Sequence, residues 1–493
     1  MKILIILQLW LSLLLISPRL VETHLVVMAS PQVQPNRKEI LLQKKEATTN
    51  PNKRASQAIE ELGGTVQYAQ SGKTIVGIHV SNIKIDNKIL SLLKGLPSLQ
   101  LLILQKTTFT PQDLQQLSQI NSLKRLNLFE CKLTSRDIDV LAHDFDLDYL
   151  GLSATNLTDE QLMLLKDETS LKSLDLAYTK ISDKGLRALK NLSQLKYLDL
   201  TKTKISDAGL SELKSLSSLQ ILDLTWNRID GQGLESIGEL GQLRQLYLNA
   251  TLISDTGISH LKSLTKLELL DLGNLEITDS TLDTIGLLQT LKTLSLSGSN
   301  ITGKGLQKLN TLSMLEDLYL RKTDLRNNDL IYLKPFDKLE RLNLSQTKIT
   351  DAGLQHLEKL TNLKFLNLSN TDIRDPGLIF LRPLNKLNTL YLDLTEISDI
   401  GLKEVGRHVQ IEKLMLSHTN VSDKGLAYLD QIQNLQILYL DYTEVTSMGL
   451  VYIKKHNNLK VLSLLRTKIS DSEAALFQKM LPDCEIRHSQ LRE

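Results

Sequence analysis

The sequence predicts an α/β solenoid, in which a unit of one short strand and one helical segment is repeated along the chain. Leucines at the first, fourth and sixth positions of this unit recur every 24 residues from Leu99 to Leu464. The pattern runs through sixteen repeats without an insertion, and Ile411 is the one residue that replaces leucine at its 48 positions. Because one repeat cannot bury these side chains alone, the repeats are expected to stack and cover one another.

The first part of each repeat has the pattern of a strand with one buried face. In the repeat that begins at Leu171, Leu174 and Leu176 occupy positions 4 and 6 and alternate with polar Ser173 and Asp175. Position 9 is threonine in twelve repeats. A small hydroxyl turned inward there can satisfy backbone groups in the turn that leaves the strand.

The second part of each repeat predicts a short helix. Ser182 and Asp183 offer N-cap chemistry and a carboxylate in the first helical turn. Gly185, at position 15, lies early in this helix, where glycine is unfavourable, so we expect a close approach to the neighbouring repeat. Apolar residues at a spacing of three then form one inward face: Leu186, Leu189 and Leu192.

The outward side chains of the strands occupy position 5 and are expected to be solvated. Leu318 should therefore be buried, whereas Tyr319, the next residue, should be exposed.

The helix start formed by Ile181, Ser182, Asp183, Gly185 and Leu186 resembles that of leucine-rich repeats in exported bacterial proteins and in eukaryotic F-box-associated proteins. The resemblance covers about residues 57–493. It implies a right-handed leucine-rich-repeat solenoid, a horseshoe with a concave parallel β-sheet and short helices on the convex side. It transfers no catalytic residue. No F-box-like helical segment precedes the repeats, which leaves a ubiquitin-ligase-type substrate adaptor with little support.

The sequence outside the repeats predicts export. Residues 1–29 have the features of a signal peptide, because the apolar run Ile3–Ile16 is too short to span a bilayer comfortably. Cleavage would give Ser30 as the mature start and no transmembrane span, and a retained anchor is the alternative. The expected location is the periplasm, the cell envelope or the extracellular space.

The predicted domain order continues with a polar linker at 30–52 and an N-terminal cap with a first degenerate repeat at 53–98. Sixteen repeats follow at 99–480, and a C-terminal cap occupies 481–493. Within the caps we expect a helix from Lys53 to Leu62 and a last short strand from Cys484 to His488.

Composition and residue spacing give no support to several other functions. The formal net charge of +2 offers no electrostatic case for nucleic acid. His408 and His456 share position 22 but lie two repeats apart, about 10 Å at strand spacing, which is too far for one metal ion. We read them as partly exposed residues at the core edge. Cys131 and Cys484 are fifteen repeats apart, so we expect two structural thiols and not the disulfide caps of many exported eukaryotic relatives, which favours a bacterial source. We expect no enzyme activity and no cofactor.

The positions that the repeat leaves free suggest two candidate binding patches, at position 5 and at position 8 on the rim of the same face. Patch one contains Asp175, Tyr178, Asp199, Lys202, Asp223, Trp226 and Tyr247. Patch two contains Tyr391, Met415, His418, Tyr439, Tyr442 and Arg466. Tyr, Trp, Met and Arg concentrate binding energy at protein interfaces, although the same residues also occur on ordinary solvated surface.

Position 10 shows a drift of charge along the chain. The early repeats place cations there: Lys132, Lys180, Lys204 and Arg228. The later repeats place anions there: Glu276, Asp324, Asp372, Glu396 and Glu444.

These observations predict a non-catalytic scaffold that binds a protein partner through the concave face. The alternative is a structural component of the cell envelope or a glycan-binding protein, because aromatic rows about 5 Å apart also suit sugar stacking. The sequence does not identify the partner.

Overall fold

The computed structural model describes residues 50–488, and its internal contacts divide the chain into two compact units. One unit ends at Leu252 and the other begins at Ile253. The expected signal peptide, residues 30–49 of the expected linker and residues 489–493 lie outside the described part.

The first unit alternates strands with short helices. Strands β2 to β9 pair with their neighbours in parallel and in chain order, and β1 pairs antiparallel with β2. The strands are β1 (Thr65–Tyr68), β2 (Ile75–Ser81), β3 (Leu101–Gln105), β4 (Arg125–Asn127), β5 (Tyr149–Gly151), β6 (Ser173–Asp175), β7 (Tyr197–Asp199), β8 (Ile221–Asp223) and β9 (Gln245–Tyr247).

The helices of the first unit are α1 (Pro51–Glu61), α2 (Asn87–Lys94), α3 (Pro111–Ser118), α4 (Ser135–His143), α5 (Asp159–Leu162), α6 (Asp183–Leu186), α7 (Asp207–Leu210) and α8 (Leu234–Gly238). Short 3₁₀ segments cover Met163–Leu165, Arg187–Leu189 and Ser211–Ser215. Helix α1 begins two residues before the predicted Lys53, because Asn50 caps it and Pro51 occupies its first turn.

The second unit continues the same alternation, and its strands are parallel and consecutive. The strands are β10 (Leu269–Asp271), β11 (Thr293–Ser295), β12 (Asp317–Tyr319), β13 (Arg341–Asn343), β14 (Phe365–Asn367), β15 (Thr389–Tyr391), β16 (Lys413–Met415), β17 (Ile437–Tyr439), β18 (Val461–Ser463) and β19 (Glu485–Arg487). The last strand is thus shorter than the predicted segment from Cys484 to His488.

The helices of the second unit are α9 (Asp255–Ile258), α10 (Thr281–Ile285), α11 (Gly303–Leu306), α12 (Asp351–Leu354), α13 (Asp399–Val405), α14 (Asp423–Leu426), α15 (Leu450–Ile453) and α16 (Asp471–Met480). Its 3₁₀ segments are Ser259–Ser263, Gln307–Leu309, Asn327–Leu333, Gln355–Leu357, Asp375–Leu381 and Ala427–Gln431.

Leucines at positions 4 and 6 form the core of both units, as predicted. In the sixteen repeats none of them is more than 1% exposed. Each contributes about 1.5–3 kcal/mol on burial, so the repeated leucine pattern is the main source of stability. The prediction of a parallel-stranded α/β solenoid is confirmed.

The turn after most strands is held by position 9, as the sequence suggested. The Thr179 hydroxyl donates to the carbonyl oxygen of Leu176 at 2.6 Å, and most other repeats repeat this bond. Where threonine is absent, the amide of Asn227 donates to Leu200 O at 2.7 Å, and the thiol of Cys131 donates to Leu104 O at 2.9 Å.

At the helix start, the predicted N-cap bond of Ser182 is wrong, whereas the predicted close approach at Gly185 is confirmed. Ser182 makes no cap bond within its own helix. Its backbone N–H and its hydroxyl donate instead to the Asp159 carboxylate of the preceding repeat, at 2.8 and 2.5 Å. A Cβ on Gly185 would lie 2.5 Å from the same carboxylate, so the glycine does mark a close approach between repeats.

The prediction that Tyr319 is exposed is wrong. Its side chain is only 1% exposed, although it follows the buried Leu318 on the outward face of β12. Its strand partners Ser295 and Asn343 are also buried. Because neighbouring strands lie about 4.8 Å apart, outward side chains on adjacent strands cover one another.

Candidate functional site

Position 8, the residue that turns the chain away from each strand, adopts a left-handed backbone. The value of φ is +58° at Tyr178, +51° at Lys202 and +63° at Trp226. The same conformation recurs at His418, Tyr442 and Arg466 of patch two. Bulky side chains rarely adopt this conformation, which costs roughly 1–2 kcal/mol outside glycine.

Sequence reasoning treated position 8 as free and missed this constraint. The available signal was the presence of Asn274, Gly298 and Asn370 at the same position, since Asn and Gly tolerate positive φ best. Large aromatic residues at such a position are therefore not explained by the local backbone.

The structure brings the three aspartates of patch one together in one row. Asp175 pairs in register with Asp199, and Asp199 pairs in register with Asp223. Each carboxylate accepts a hydrogen bond from a backbone N–H two residues on, for example Thr225 N to Asp223 Oδ1 at 2.8 Å. Asparagine makes the same bond at other repeats, so position 5 has a structural role that does not require charge.

Burial and mutual repulsion disfavour charge on the ends of this row. Desolvation and the neighbouring Asp199 raise the pKa of Asp175 to about 7. The same two causes raise the pKa of Asp223 to about 8. No cation among the described residues forms an ion pair with the three carboxylates.

The rim of patch one is a stack of two rings with a cation between them. The Lys202 ammonium lies 5.5 Å from the Tyr178 ring centroid and 4.9 Å from the Trp226 ring centroid, within cation–π range. Tyr178 is 46% exposed and Trp226 is 45% exposed. Lysine thus orders two large rings that remain half open to solvent.

Other members of patch one are less accessible than the sequence suggested. Tyr247 is buried at 5% exposure and donates its hydroxyl to Gln245 at 2.9 Å, and Asp199 is also buried. Tyr197, which sequence reasoning missed, donates to Asp199 Oδ2 at 3.2 Å. The aspartate row lies among side chains of the sheet face, whereas Tyr178, Lys202 and Trp226 stand at its edge.

Patch two is also split between an exposed edge and a covered sheet face. His418 and Tyr442 stack with ring centroids 4.1 Å apart and an angle of 14° between the planes. Tyr442 is 52% exposed and Arg466 is half-buried.

On the sheet face, Met415 is buried between its strand partners Tyr391 and Tyr439. Tyr391 makes an edge contact with Phe365, with ring centroids 5.2 Å apart. Arg487 donates to the Tyr439 hydroxyl at 2.7 Å and was missed, because it lies 48 residues away in the sequence.

The histidines and cysteines of the sequence have structural positions. His408 and His456 are buried, contrary to our expectation of partial exposure, and desolvation lowers the pKa of both. A ring nitrogen of His456 contacts Ile432 O at 3.1 Å. Cys131 and Cys484 are buried free thiols whose pKa burial raises to about 11.

Residues 50–488 contain neither a metal-binding cluster nor a membrane-spanning helix. No cluster of three or more His, Cys, Asp or Glu side chains is arranged to hold a metal ion in this range. Within the same range, no helix has the length and apolar character needed to cross a bilayer.

Comparison with known proteins agrees with the repeat architecture. Residues 151–351 match a family model described as a leucine-rich repeat region, and residues 337–379 match one described as two copies of leucine-rich repeats. No curated protein matches the chain in sequence.

Three solved structures are similar. An internalin of Listeria monocytogenes has a TM-score of 0.52 and 24% identity, over 67% of this chain and 88% of its own. A leucine-rich-repeat protein of Leptospira interrogans has a TM-score of 0.47 and 23% identity, over 82% and 92%. A TDR receptor has a TM-score of 0.47 and 16% identity, over 76% and 69%.

The uninterrupted repeats, the parallel strands and the family-model matches define the class as an α/β solenoid of leucine-rich repeats. Residues 151–379 match leucine-rich-repeat models, and the chain has the leucine-rich-repeat fold. Proteins with this fold commonly bind other proteins and are typically non-enzymatic.

Proposed function

We propose that this protein is a non-catalytic scaffold that binds a protein partner through the exposed edges of patch one and patch two. The observation that carries the proposal is the set of large side chains held in solvent at a left-handed backbone position. Tyr178, Trp226 and Tyr442 each combine an unfavourable φ with roughly half-exposed rings. Aromatic side chains of this kind are frequent hot spots in protein interfaces.

A glycan-binding or envelope-structural function has less support. Sugar stacking needs an open aromatic face. In patch one Lys202 lies against the Tyr178 and Trp226 rings, and in patch two His418 stacks on Tyr442, so part of each aromatic surface is already occupied. A glycan array tests this alternative directly.

The proposal is tested by affinity capture from the native source with the chain as bait, followed by quantitative mass spectrometry. Trp226→Ala should weaken capture of a specific partner by about 2 kcal/mol, or roughly thirtyfold, as hot-spot aromatics do. Tyr442→Ala is the parallel test in patch two. Tyr428→Ala is the matched control, because Tyr428 is 42% exposed but lies in a helical segment outside both patches. A partner that binds both patch variants as tightly as wild type would exclude this surface.

We also propose that the protein is exported and that its mature chain begins near Ser30. The support is the apolar run Ile3–Ile16, its following Pro18 and the small residues before Ser30. Sequencing the N-terminus of protein from the native source tests this. Intact Met1 on soluble protein inside the cell would contradict it.

The segments at the two ends of the repeats are proposed to be caps. Helix α1 buries Ala55 and Ile59, and β1 covers the outer edge of β2 by antiparallel pairing. At the other end, Leu481 and Cys484 are buried and β19 pairs with β18. These elements support caps at 53–98 and 481–493, because the terminal repeats of a solenoid need cover.

A further inference from the structure

The strongest unexplained feature of the first unit is a row of uncompensated cations along the turn edge of three consecutive repeats. Lys180, Lys204 and Arg228 occupy position 10 and are all exposed. Isolated parallel bridges, such as Ser206 with Arg228, continue the strand pairing to this edge. The three cations therefore follow one another at strand spacing, about 4.8 Å per repeat along the backbone.

Direct ion pairs with these cations are absent from the part of the chain that the structure describes. Lys180, Lys204 and Arg228 form no ion pair there, and neither does Lys202. Like charges on adjacent strands repel one another and lower stability. This arrangement therefore carries a cost that the fold does not require.

The second unit shows how the same position is treated when its charge is compensated. There Asp324 pairs with Lys348, Glu396 with Arg374 at 2.9 Å, and Glu444 with Lys468. A residue at position 10 can therefore form an ion pair with a neighbouring repeat. Lys180, Lys204 and Arg228 form no such pair among the described residues.

The rim of patch one lies beside this row in the same repeats. Tyr178, Lys202 and Trp226 occupy position 8, two residues before Lys180, Lys204 and Arg228. The result is an exposed strip with four cations and two aromatic rings. The aspartates at position 5 are buried or half-buried, so a partner that approaches this edge meets the cations first.

We propose that this strip, defined by Tyr178, Lys180, Lys202, Lys204, Trp226 and Arg228, binds an acidic segment of a protein partner. The proposal rests on the proposed protein-binding function and names the chemistry of its partner. Carboxylates of a peptide that runs along the strip would face the cations, and the aliphatic parts of the same segment would pack on the two rings. Charge complementarity selects the sign of the partner, and the rings favour a polypeptide over a bare polyanion.

The direct test uses fluorescein-labelled deca-glutamate as the probe and fluorescence anisotropy as the readout. Wild-type chain should bind it saturably, and binding should weaken as salt screens the charges. The variant Lys180→Gln/Lys204→Gln/Arg228→Gln should bind at least tenfold more weakly. These side chains are exposed, so their replacement should change stability by no more than about 0.5 kcal/mol each, which circular dichroism melting checks.

The matched control removes the same charge elsewhere in the unit. Lys166→Gln/Lys184→Gln/Lys190→Gln replaces three cations that are also exposed and form no ion pair within the described chain. This variant should bind deca-glutamate as wild type does. Equal weakening by both triple variants would show a net-charge effect and would overturn the proposal.

Two further probes decide the class of partner. Deca-lysine binding tighter than deca-glutamate would mean that the aspartate row dominates, and it would overturn the proposal. A heparin-derived decasaccharide that binds tighter than deca-glutamate, with unchanged affinity after Trp226→Ala, would assign the strip to an anionic glycan and also overturn it.

The experiments distinguish failure of the acidic-segment proposal from failure of the proposed protein-binding function. A partner whose capture needs Trp226, combined with no deca-glutamate binding, would refute the acidic segment alone.

Discussion

At the scale of single residues, the turn at position 8 is the feature that gives the candidate site its shape. The turn requires φ near +55° in almost every repeat, whatever the side chain. Glycine and asparagine satisfy that requirement at least cost, and both occur there. The presence of Trp226 and Tyr178 at the same position therefore reflects something other than the turn.

The cost of the left-handed turn can be measured at Ala250, where φ is +53° and the side chain is small. Ala250→Gly should raise the free energy of unfolding by about 1 kcal/mol, because relief of the strained φ outweighs the entropy of glycine. Ala142→Gly in α4 is the control. It should lower the free energy of unfolding by about the same amount, since the backbone of Ala142 is helical. Urea unfolding of the two variants checks the sign. A loss of stability in both would argue against a strained turn.

The aspartate row predicts a specific dependence of stability on pH. The pKa of Asp223 is about 8, above its value in an unfolded chain, so the folded state holds the proton more tightly. Its contribution to stability is full below pH 4 and is lost as the pH rises through 8.

Asp223→Asn should therefore stabilise the protein at pH 9 by about 1 kcal/mol, the scale of cross-strand charge repulsion, and by much less at pH 5. The amide can still accept from Thr225 N, as Asn343 accepts from Ser345 N. Urea unfolding at the two pH values measures the difference. Buried His408 and His456 act in the opposite direction, but they are present in both proteins and cancel. Asp167→Asn, an exposed change, should show no such pH dependence.

Residue-level prediction from the sequence was least successful on the sheet face. The alternation of side chains correctly placed Tyr247, Met415 and Tyr319 opposite the leucine core. It could not show that these side chains are buried, because their burial depends on neighbours 24 residues away in adjacent strands. Pairings such as Arg487 with Tyr439 depend on side-chain reach and were not visible in the repeat pattern.

At the scale of the repeat element, an aspartate at position 13 links the helix start to that of the next repeat in about half of the repeats. Asp183 accepts from the backbone N–H of Ser206 at 2.8 Å and from its hydroxyl at 2.6 Å. Gly209 lies directly against the same carboxylate. The Ser, Asp and Gly of the repeat pattern therefore take part in the same contact between repeats. Their recurrence has one structural cause and not three separate ones.

Disrupting this contact should give non-additive effects. Asp183→Ala should lower the free energy of unfolding by about 1.5–3 kcal/mol, the usual value for hydrogen bonds to a charged group. Gly209→Ala should also destabilise the protein, because its new methyl group would collide with the Asp183 carboxylate. In the Asp183→Ala background, the same glycine substitution should cost less, since the colliding atoms are gone. Simple additivity in this double-mutant cycle would contradict the contact.

At the scale of the whole molecule, the repeat pattern was sufficient to predict the fold. The leucines at positions 4 and 6 occupy the same local environment in every repeat. If the burial of one of these leucines were predicted wrongly, the fifteen equivalent repeats would still indicate the correct fold. The binding surface has no such redundancy. It depends on the few side chains that differ between repeats, and their meaning depends on a partner that the sequence does not contain.

The same modular architecture predicts local and not global loss of structure. Leu318 is fully buried in β12, and Leu318→Ala should cost about 2–5 kcal/mol by leaving a cavity among packed leucines. Because each repeat is stabilised mainly by its neighbours, the damage should be concentrated near that strand. Hydrogen exchange followed by mass spectrometry should show faster exchange in β11 to β13 and unchanged exchange in β3 to β7. Leu174→Ala, in β6 of the first unit, is the reciprocal control and should reverse the pattern. Uniformly faster exchange along the whole chain in either variant would show a single cooperative unit and would contradict the nearest-neighbour account of its stability.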